Sequence, residues 1–322
     1  MGFDVVAIGE LLIDFTCNAV DKDGYPTLSA HPGGAPANFL AALAKCGCRT
    51  ALIGKVGNDL FGRALQKTLA AAKVDTSGLQ LDDACFTTLA FVSLNEAGDR
   101  EFSFARKPGA DTMLRAEELR LELIDGAKVF HFGTLSLTDD PSREATRSAV
   151  LCAKSKGKLI SFDPNLRKPL WKDLQKAREE MLWGLAQADI VKISEEEVSF
   201  LFALTVEEGA ERIIRDFGCK LVFVTCGADG CFYASRKYCG KVPALQGIQT
   251  VDTTGAGDIF GGFVLGKILE CAKQPEELTQ EESHHAVEFA CVAAGLSTTK
   301  YGGISSIPEI ADCEKCLGQK NE

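Results

Sequence analysis

Short apolar runs alternate with longer stretches of helical periodicity along nearly the whole chain, and few folds accept that pattern. Val5–Gly9, Thr50–Val56, Val129–Phe132, Leu159–Phe162, Ile190–Ile193 and Leu221–Thr225 are brief and apolar, mostly bounded by Gly, Asp, Lys or Pro. They read as strands buried on both faces. Ala35–Lys45, Asp59–Ala72, Ser142–Ser155, Asp173–Gln187, Val206–Phe217, Gly255–Cys271 and Glu281–Thr299 carry the helical repeat. Alternation of this kind predicts a parallel sheet covered by helices on both faces. Two stretches break it. Leu11–Cys17 continues the first strand past Glu10 toward a turn at Asp23–Gly24, and strand-like Thr87–Leu94 and Arg100–Ala105 are joined by the polar Asn95–Asp99, which contains Gly98. Neither has a crossover helix. Together they predict a small separate sheet, built from about residues 11–31 and 87–106, that projects over the strand ends as a lid. No repeat or long linker interrupts residues 1–322, so the chain reads as one domain carrying that lid.

Charge and cysteines narrow the function classes. The net charge is −10 and no run of five Lys/Arg occurs, which speaks against a nucleic-acid partner. An acidic protein that handles an anion must concentrate positive potential locally, at helix N-termini, a metal ion or a few Arg/Lys. Acids at Asp4, Glu10 and Asp14 exclude a signal-peptide reading, Val6 stands where a myristoylation pattern needs Ser or Thr, and the apolar runs are too short to span a membrane. Thirteen scattered cysteines point to a reducing compartment, the cytoplasm. Cys313 and Cys316 form a lone CxxC with no second pair at zinc spacing.

The most informative segment is VDTTGAGDIFGGF, Val251–Phe263, a turn running directly into an apolar helical pattern. Gly255, Ala256 and Gly257 therefore lie at a helix N-terminus, where backbone N–H groups lack intrahelical partners and the dipole favours negative charge. With no side chain at two of these positions a phosphoryl group can approach closely. Asp258, in the first turn, can take the proton of an attacking hydroxyl, which makes the segment a phosphoryl-transfer arrangement. The competing reading is that Asp258 only stabilises the helix dipole. A second segment, HPGGAPANFLAALAKCG at His31–Gly47, places Gly33 and Gly34 before a helix with Asn38 in its first turn. It reads as a sugar site, with backbone at the glycines and the Asn38 amide bonding vicinal hydroxyls, or as a plain helix start.

This pair of segments, in this order and separation, resembles the ribokinase-like (PfkB) family of sugar kinases. The similarity runs from GELLIDF at Gly9–Phe15 to GGISSIP at Gly302–Pro308. GKVGNDLFG (Gly54–Gly62), REFSFARKPGAD (Arg100–Asp111) and DPNLRKPLW (Asp163–Trp171) look like bacterial and plant fructokinases in particular. The resemblance implies a three-layer α/β/α sandwich with a β-sheet lid, sugar between lid and sheet, and ATP along the C-terminal half. It implies that Asp258 deprotonates the fructose 6-hydroxyl for attack on the γ-phosphate of Mg²⁺-ATP. Asp14 would accept sugar hydroxyls, Arg106 would face the sugar from the lid, and Arg167 would reach the sugar or the transferring phosphate. Asp163 and Asn165 would order the same loop. Thr225, Gly227 and Gly230 in VTCGADGC match a nucleotide loop, and Lys192 would meet ATP phosphate. Where the family often has Asn-x-x-Glu, this chain has Ser194-Glu195-Glu196-Glu197. Glu197 would act on Mg²⁺ through water, while Ser194 caps the next helix. Asp252 and the Thr254 carbonyl, with Ser297 and Ser306, match a K⁺ site. Lid sheets of the family often pair between subunits, which implies a homodimer. The alternatives are a relative acting on 2-keto-3-deoxygluconate or ribose, and a catalytically silent sugar-binding regulator.

Overall fold

The computed structural model describes residues 2–94 and 100–320. Its strands are β1 (Phe3–Ile8), β2 (Leu12–Val20), β3 (Pro26–Gly33), β4 (Thr50–Gly57), β5 (Val74–Asp82), β6 (Leu89–Leu94), β7 (Arg100–Ala105), β8 (Ala127–Gly133), β9 (Leu159–Asp163), β10 (Ile190–Ser194), β11 (Leu221–Thr225), β12 (Cys231–Ser235) and β13 (Cys239–Val242). Its helices are α1 (Ala35–Lys45), α2 (Leu60–Ala71), α3 (Leu121–Asp125), α4 (Ser142–Ser155), α5 (Leu174–Gln187), α6 (Glu195–Phe202), α7 (Val206–Phe217), α8 (Ala256–Glu270), α9 (Gln280–Ser297) and α10 (Ile310–Lys320).

The larger sheet runs β13-β12-β11-β10-β9-β8-β1-β4-β5. It is parallel from β5 to β11, and β12 and β13 extend it antiparallel. Residue alternation along β1 shows how it divides the molecule. Val5 and Ala7 enter one core with Leu40 of α1, Phe263 of α8 and Phe289 of α9. Val6 and Ile8 enter the other with Ala149 of α4, Met181 of α5 and Ile213 of α7. Two buried faces explain why the strands read as continuous apolar runs. From β1 the chain leads to β4 on one side, while β8 lies on the other. Such a switch point opens a crevice at the C-terminal strand ends, where ligands of open α/β sheets bind.

A smaller sheet, β3-β2-β6-β7, stands apart from the larger one. Here the structure corrects one expectation. The first strand ends at Ile8 and does not continue past Glu10: the chain turns at Gly9, with φ of +154°, while β2 lies in the smaller sheet as the pattern predicts. A Cβ at Gly9 would stand 2.6 Å from Pro36 Cγ, so the turn needs glycine. The joining segment Asn95–Asp99 lies outside the described residues. Helix α1 begins without a side-chain cap from Gly34. Glu10 supplies it, its Oε1 accepting the Ala35 N–H at 2.8 Å.

Candidate active site

The turn that opens α8 is braced before it can bind anything. Asp252 Oδ1 accepts from the Thr254 N–H (2.9 Å) and hydroxyl (2.7 Å), and Oδ2 accepts from the Gly302 N–H (2.9 Å). Gly255 then takes the left-handed conformation, φ +76°, as the residue before the helix. The amides of Gly257 and Asp258 follow, in the first turn where no intrahelical acceptor exists. Ala256 departs from expectation: its N–H turns back to the Thr253 carbonyl at 3.3 Å, so the free donors of the turn come from the residues around it.

Asp258 is buried at the floor of this turn. Asn38 Nδ2 donates to its Oδ2 at 2.9 Å, and Asn165 Nδ2 stands 3.5 Å from its Oδ1. Burial pushes the Asp258 carboxyl above its ordinary pKa, and Asp163 adds to the effect; Lys192, Asn38 and Arg167 oppose it. Such a carboxylate is a stronger base than one in water. Lys192 lies beneath the same turn, because a Cβ at Gly257 would be 2.9 Å from its Nζ. Its Nζ donates to Asp163 Oδ2 at 3.0 Å. Burial works against the ammonium charge, but Asp163, Glu197 and Asp258 outweigh it and raise the Lys192 pKa.

Two cavities meet at the turn. One, about 300 Å³, is lined by Glu10, Asp14, Gly34, Asn38, Arg167 and Asp258, among others. Gly33 leaves room for Asp14, since a Cβ there would fall 2.0 Å from Asp14 Oδ2. Burial raises the Asp14 carboxyl to about 7 against the pull of Arg167, with Asp258 and Asp252 adding to the rise. Burial likewise raises Glu10 to about 7. The second cavity, about 450 Å³, is lined by Thr225, Gly227, Gly230, the 244–248 segment, Ala256, Gly257 and Phe260, among others. Gly230 has φ of +97°, and a Cβ there would collide with the Val242 carbonyl at 2.0 Å. Thr253 lines both cavities.

Arg106 stands behind the smaller cavity, bonded to the carbonyl of Leu135, which lines it. It is not among the residues lining the smaller cavity. Its guanidinium is buried and committed to the protein: Nε and Nη2 to Asp111 Oδ2 (2.8 and 2.7 Å), Nη1 to the Thr138 hydroxyl and Nη2 to the Leu135 carbonyl (both 2.9 Å). Asp111 also holds the Thr88 hydroxyl. Arg106 therefore ties the base of the smaller sheet to the main body. Glu197 forms the expected capping box with Ser194 and does more. Its Oε2 accepts the Ser194 N–H (2.8 Å) and its Oε1 the Leu166 N–H (2.6 Å), which clamps the loop that carries Asn165 and Arg167. The 252–254, 297–298 and 302–306 segments meet: the Thr298 carbonyl accepts from Val251 (2.7 Å) and Asp252 (3.0 Å), while Ser306 Oγ donates to the Gly303 carbonyl at 2.8 Å. Ser297 Oγ donates to its own helix, at the Ala294 carbonyl.

Residue patterns did not single out Glu10, Phe104 or Gly303, and gave Asp163 and Asn165 only a loop-ordering role. All five belong to the site or support it. The GELLIDF run contains Glu10, but nothing local reveals that its side chain crosses to cap α1.

Residues 3–310 match the family model described as pfkB family carbohydrate kinase. Fructokinase-1 of Zea mays is 43% identical over 312 residues, covering 96% of this chain and 95% of that one. Among solved structures, fructokinase from Xylella fastidiosa with bound ATP superposes with a TM-score of 0.90 at 29% identity, covering 99% of each chain. A fructokinase double mutant from Vibrio cholerae O395, in fructose-, ADP- and potassium-bound form, gives 0.86 at 34% identity, covering 98% of this chain and 99% of that one.

Proposed function

The chain belongs to the pfkB family of carbohydrate kinases, and from that premise we propose that it is an ATP-dependent fructokinase, transferring the γ-phosphoryl group to the 6-hydroxyl of D-fructose. The observation that carries the reading is the meeting of two cavities at one helix start, with Asp258 on the smaller cavity and Gly257 on the larger. Sugar occupies the first and nucleotide the second. Asp258 accepts the proton of the attacking hydroxyl as its oxygen bonds to phosphorus and the bond to ADP breaks. The first-turn amides hold the phosphoryl oxygens, and Arg167 and Lys192 balance the charge that spreads over them. Thr225, Gly227 and Gly230 wall the nucleotide.

The acceptor's class follows from charge. Glu10, Asp14 and Asp258 line the smaller cavity together with one cationic side chain, Arg167, while Arg106 and Lys192 act on Glu10 and Asp258 from behind the lining. That balance favours a neutral polyol over a sugar acid such as 2-keto-3-deoxygluconate. Backbone at Gly33 and Gly34 and the Asp14 carboxylate suit vicinal hydroxyls. Magnesium enters with ATP and screens its phosphates. Both Glu197 oxygens already accept backbone N–H groups, so Glu197 and Asp163 suit water-mediated contact with the metal rather than direct ligation. Oxygens of Asp252, Thr254, Ser297 and Ser306 would serve a K⁺ that orders the turn. The smaller sheet would close as a lid to exclude water, and its edge strand β3, largely exposed, suits a homodimer. Thirteen free thiols, and the lack of any helix long and apolar enough to cross a membrane among the described residues, support a cytoplasmic enzyme.

Asp258→Asn should cost about 10²–10⁴ in turnover with fructose binding kept, because it removes only the base. Coupled-assay kinetics with calorimetric fructose titration check this: near-wild-type turnover in the variant would refute the assignment of the base, and fructose binding without turnover in the unaltered protein would mark a silent binder. A panel of fructose, ribose and 2-keto-3-deoxygluconate with Mg²⁺-ATP decides the acceptor.

A further inference from the structure

We propose that a cleft between the smaller sheet and the main body, which shares Phe104 with the sugar cavity, binds a planar aromatic anion. A ligand seated there strengthens fructose binding. The coupling, though not the site itself, rests on reading the smaller cavity as the place of the sugar.

The cleft encloses about 820 Å³, room for a small organic molecule rather than a bare ion. Its walls come from both bodies. Ser103 and Phe104 belong to β7, an edge strand of the smaller sheet, while Asp139 and Asp140 precede α4. Pro169, Leu170 and Trp171 follow β9 in the main body, and their loop packs against β7. Phe104, Pro108, Met113, Pro169, Leu170 and Trp171 make much of the lining apolar, and aromatic rings among them favour a flat π-system. Charge then fixes the sign of the ligand. Five charged side chains line the cleft, and four are neutralised by carboxylate–cation pairs: Arg106 with Asp111, Lys172 with Asp139, and Asp140 with Arg143. Lys107 is the fifth. It is exposed, and its ammonium has no partner among the described residues. One uncompensated cation beside an apolar wall calls for one acidic group on an aromatic body.

The position of the cleft ties it to the sugar cavity. Phe104 lines both. The loop after β9 also serves both, with Asn165 and Arg167 on the sugar cavity and Pro169, Leu170 and Trp171 on the cleft. A ligand that touches the smaller sheet and the main body together stabilises the arrangement in which it finds them. In this structure that arrangement encloses the sugar cavity, so filling the cleft favours the state that fructose needs.

The test uses 2-naphthoate and its neutral counterpart 2-naphthamide on the full chain. Trp171 and Trp183 are the two tryptophans, so in Trp183→Phe the indole emission comes from the cleft. 2-Naphthoate should quench that emission saturably and bind about threefold or more tightly than 2-naphthamide, the worth of an exposed ion pair. Lys107→Gln should abolish the difference. It should leave turnover of fructose with Mg²⁺-ATP within about twofold, since Lys107 lines neither the sugar nor the nucleotide cavity. In calorimetry without nucleotide, saturating 2-naphthoate should lower the fructose Kd about threefold or more, and fructose should lower the 2-naphthoate Kd by the same factor. Absence of saturable binding at millimolar 2-naphthoate would overturn the site, and calorimetry on the unaltered chain decides this if Trp183→Phe folds poorly. So would binding that Lys107→Gln leaves unchanged, or that ADP displaces, since the ligand would then sit elsewhere. Unchanged fructose affinity with 2-naphthoate bound would overturn the coupling. If fructose does not bind at all, the sugar reading has failed, while the quenching still judges the cleft.

Discussion

Carboxyl groups dominate the site, and their ionisation links catalysis to stability. Glu10 is buried and raised to about 7, chiefly by desolvation. A carboxyl raised on folding binds more protons in the native state than in the unfolded one. Its contribution to stability is complete below the unfolded value of 4.5 and is lost as pH rises toward 7. The rise of roughly 2.5 units corresponds to about 3 kcal/mol at most. Glu10→Gln keeps an oxygen for the Ala35 N–H and cannot ionise. It should therefore raise the melting temperature at pH 8 and leave it nearly unchanged at pH 4, as thermal melts at the two pH values will show; equal effects at both would contradict the linkage. Residue patterns reveal this site unevenly. Asp258 and Gly255 announce themselves because a turn, two glycines and an acid stand together in DTTGAGD. Glu10 and Gly303 are silent, because each acts on a partner far along the chain, and no local pattern marks such a contact. Arg106 shows the same limit: no local pattern marks its bonds to Asp111, Thr138 and Leu135, which the fold supplies.

Elements were legible where apolar periodicity is strong and lost where it is weak. Helices α1, α4 and α7 have the bounds that the periodicity predicts. Strand β5 went unseen because VDTSGLQLD carries turn-forming residues in an edge strand with one poorly buried face. Helix α8 is apolar nearly all round, since it is sandwiched between the sheet, α1 and α9, so its start was found from the turn rather than from a stripe. The junction between the two sheets depends on the buried Arg106–Asp111 pair. Arg106→Leu leaves the Asp111 carboxylate buried without its cation and should destabilise the protein by about 3–5 kcal/mol. Urea unfolding measures this. A stable variant with a raised fructose KM would instead return Arg106 to the sugar.

At the scale of the molecule, the two cavities share a wall, and that wall is the start of α8. A ligand that orders the wall from one side lowers the ordering cost for a ligand on the other. Fructose should bind more tightly in the presence of saturating ADP, by roughly 5-fold or more, and ADP should gain by the same factor from fructose. Calorimetric titration of each with and without the other measures the coupling, and equal affinities would argue against a common wall. The net charge of −10 does not oppose a nucleotide, because Lys192, Arg167 and the helix start set the potential where it counts. Gly303 touches Asn38 across almost the full length of the polypeptide. During translation, then, neither cavity is complete until the C-terminal part of the chain has left the ribosome, because Thr253, Gly255 and Asp258 wall the smaller one and Cys291, Gly295 and Thr298 the larger.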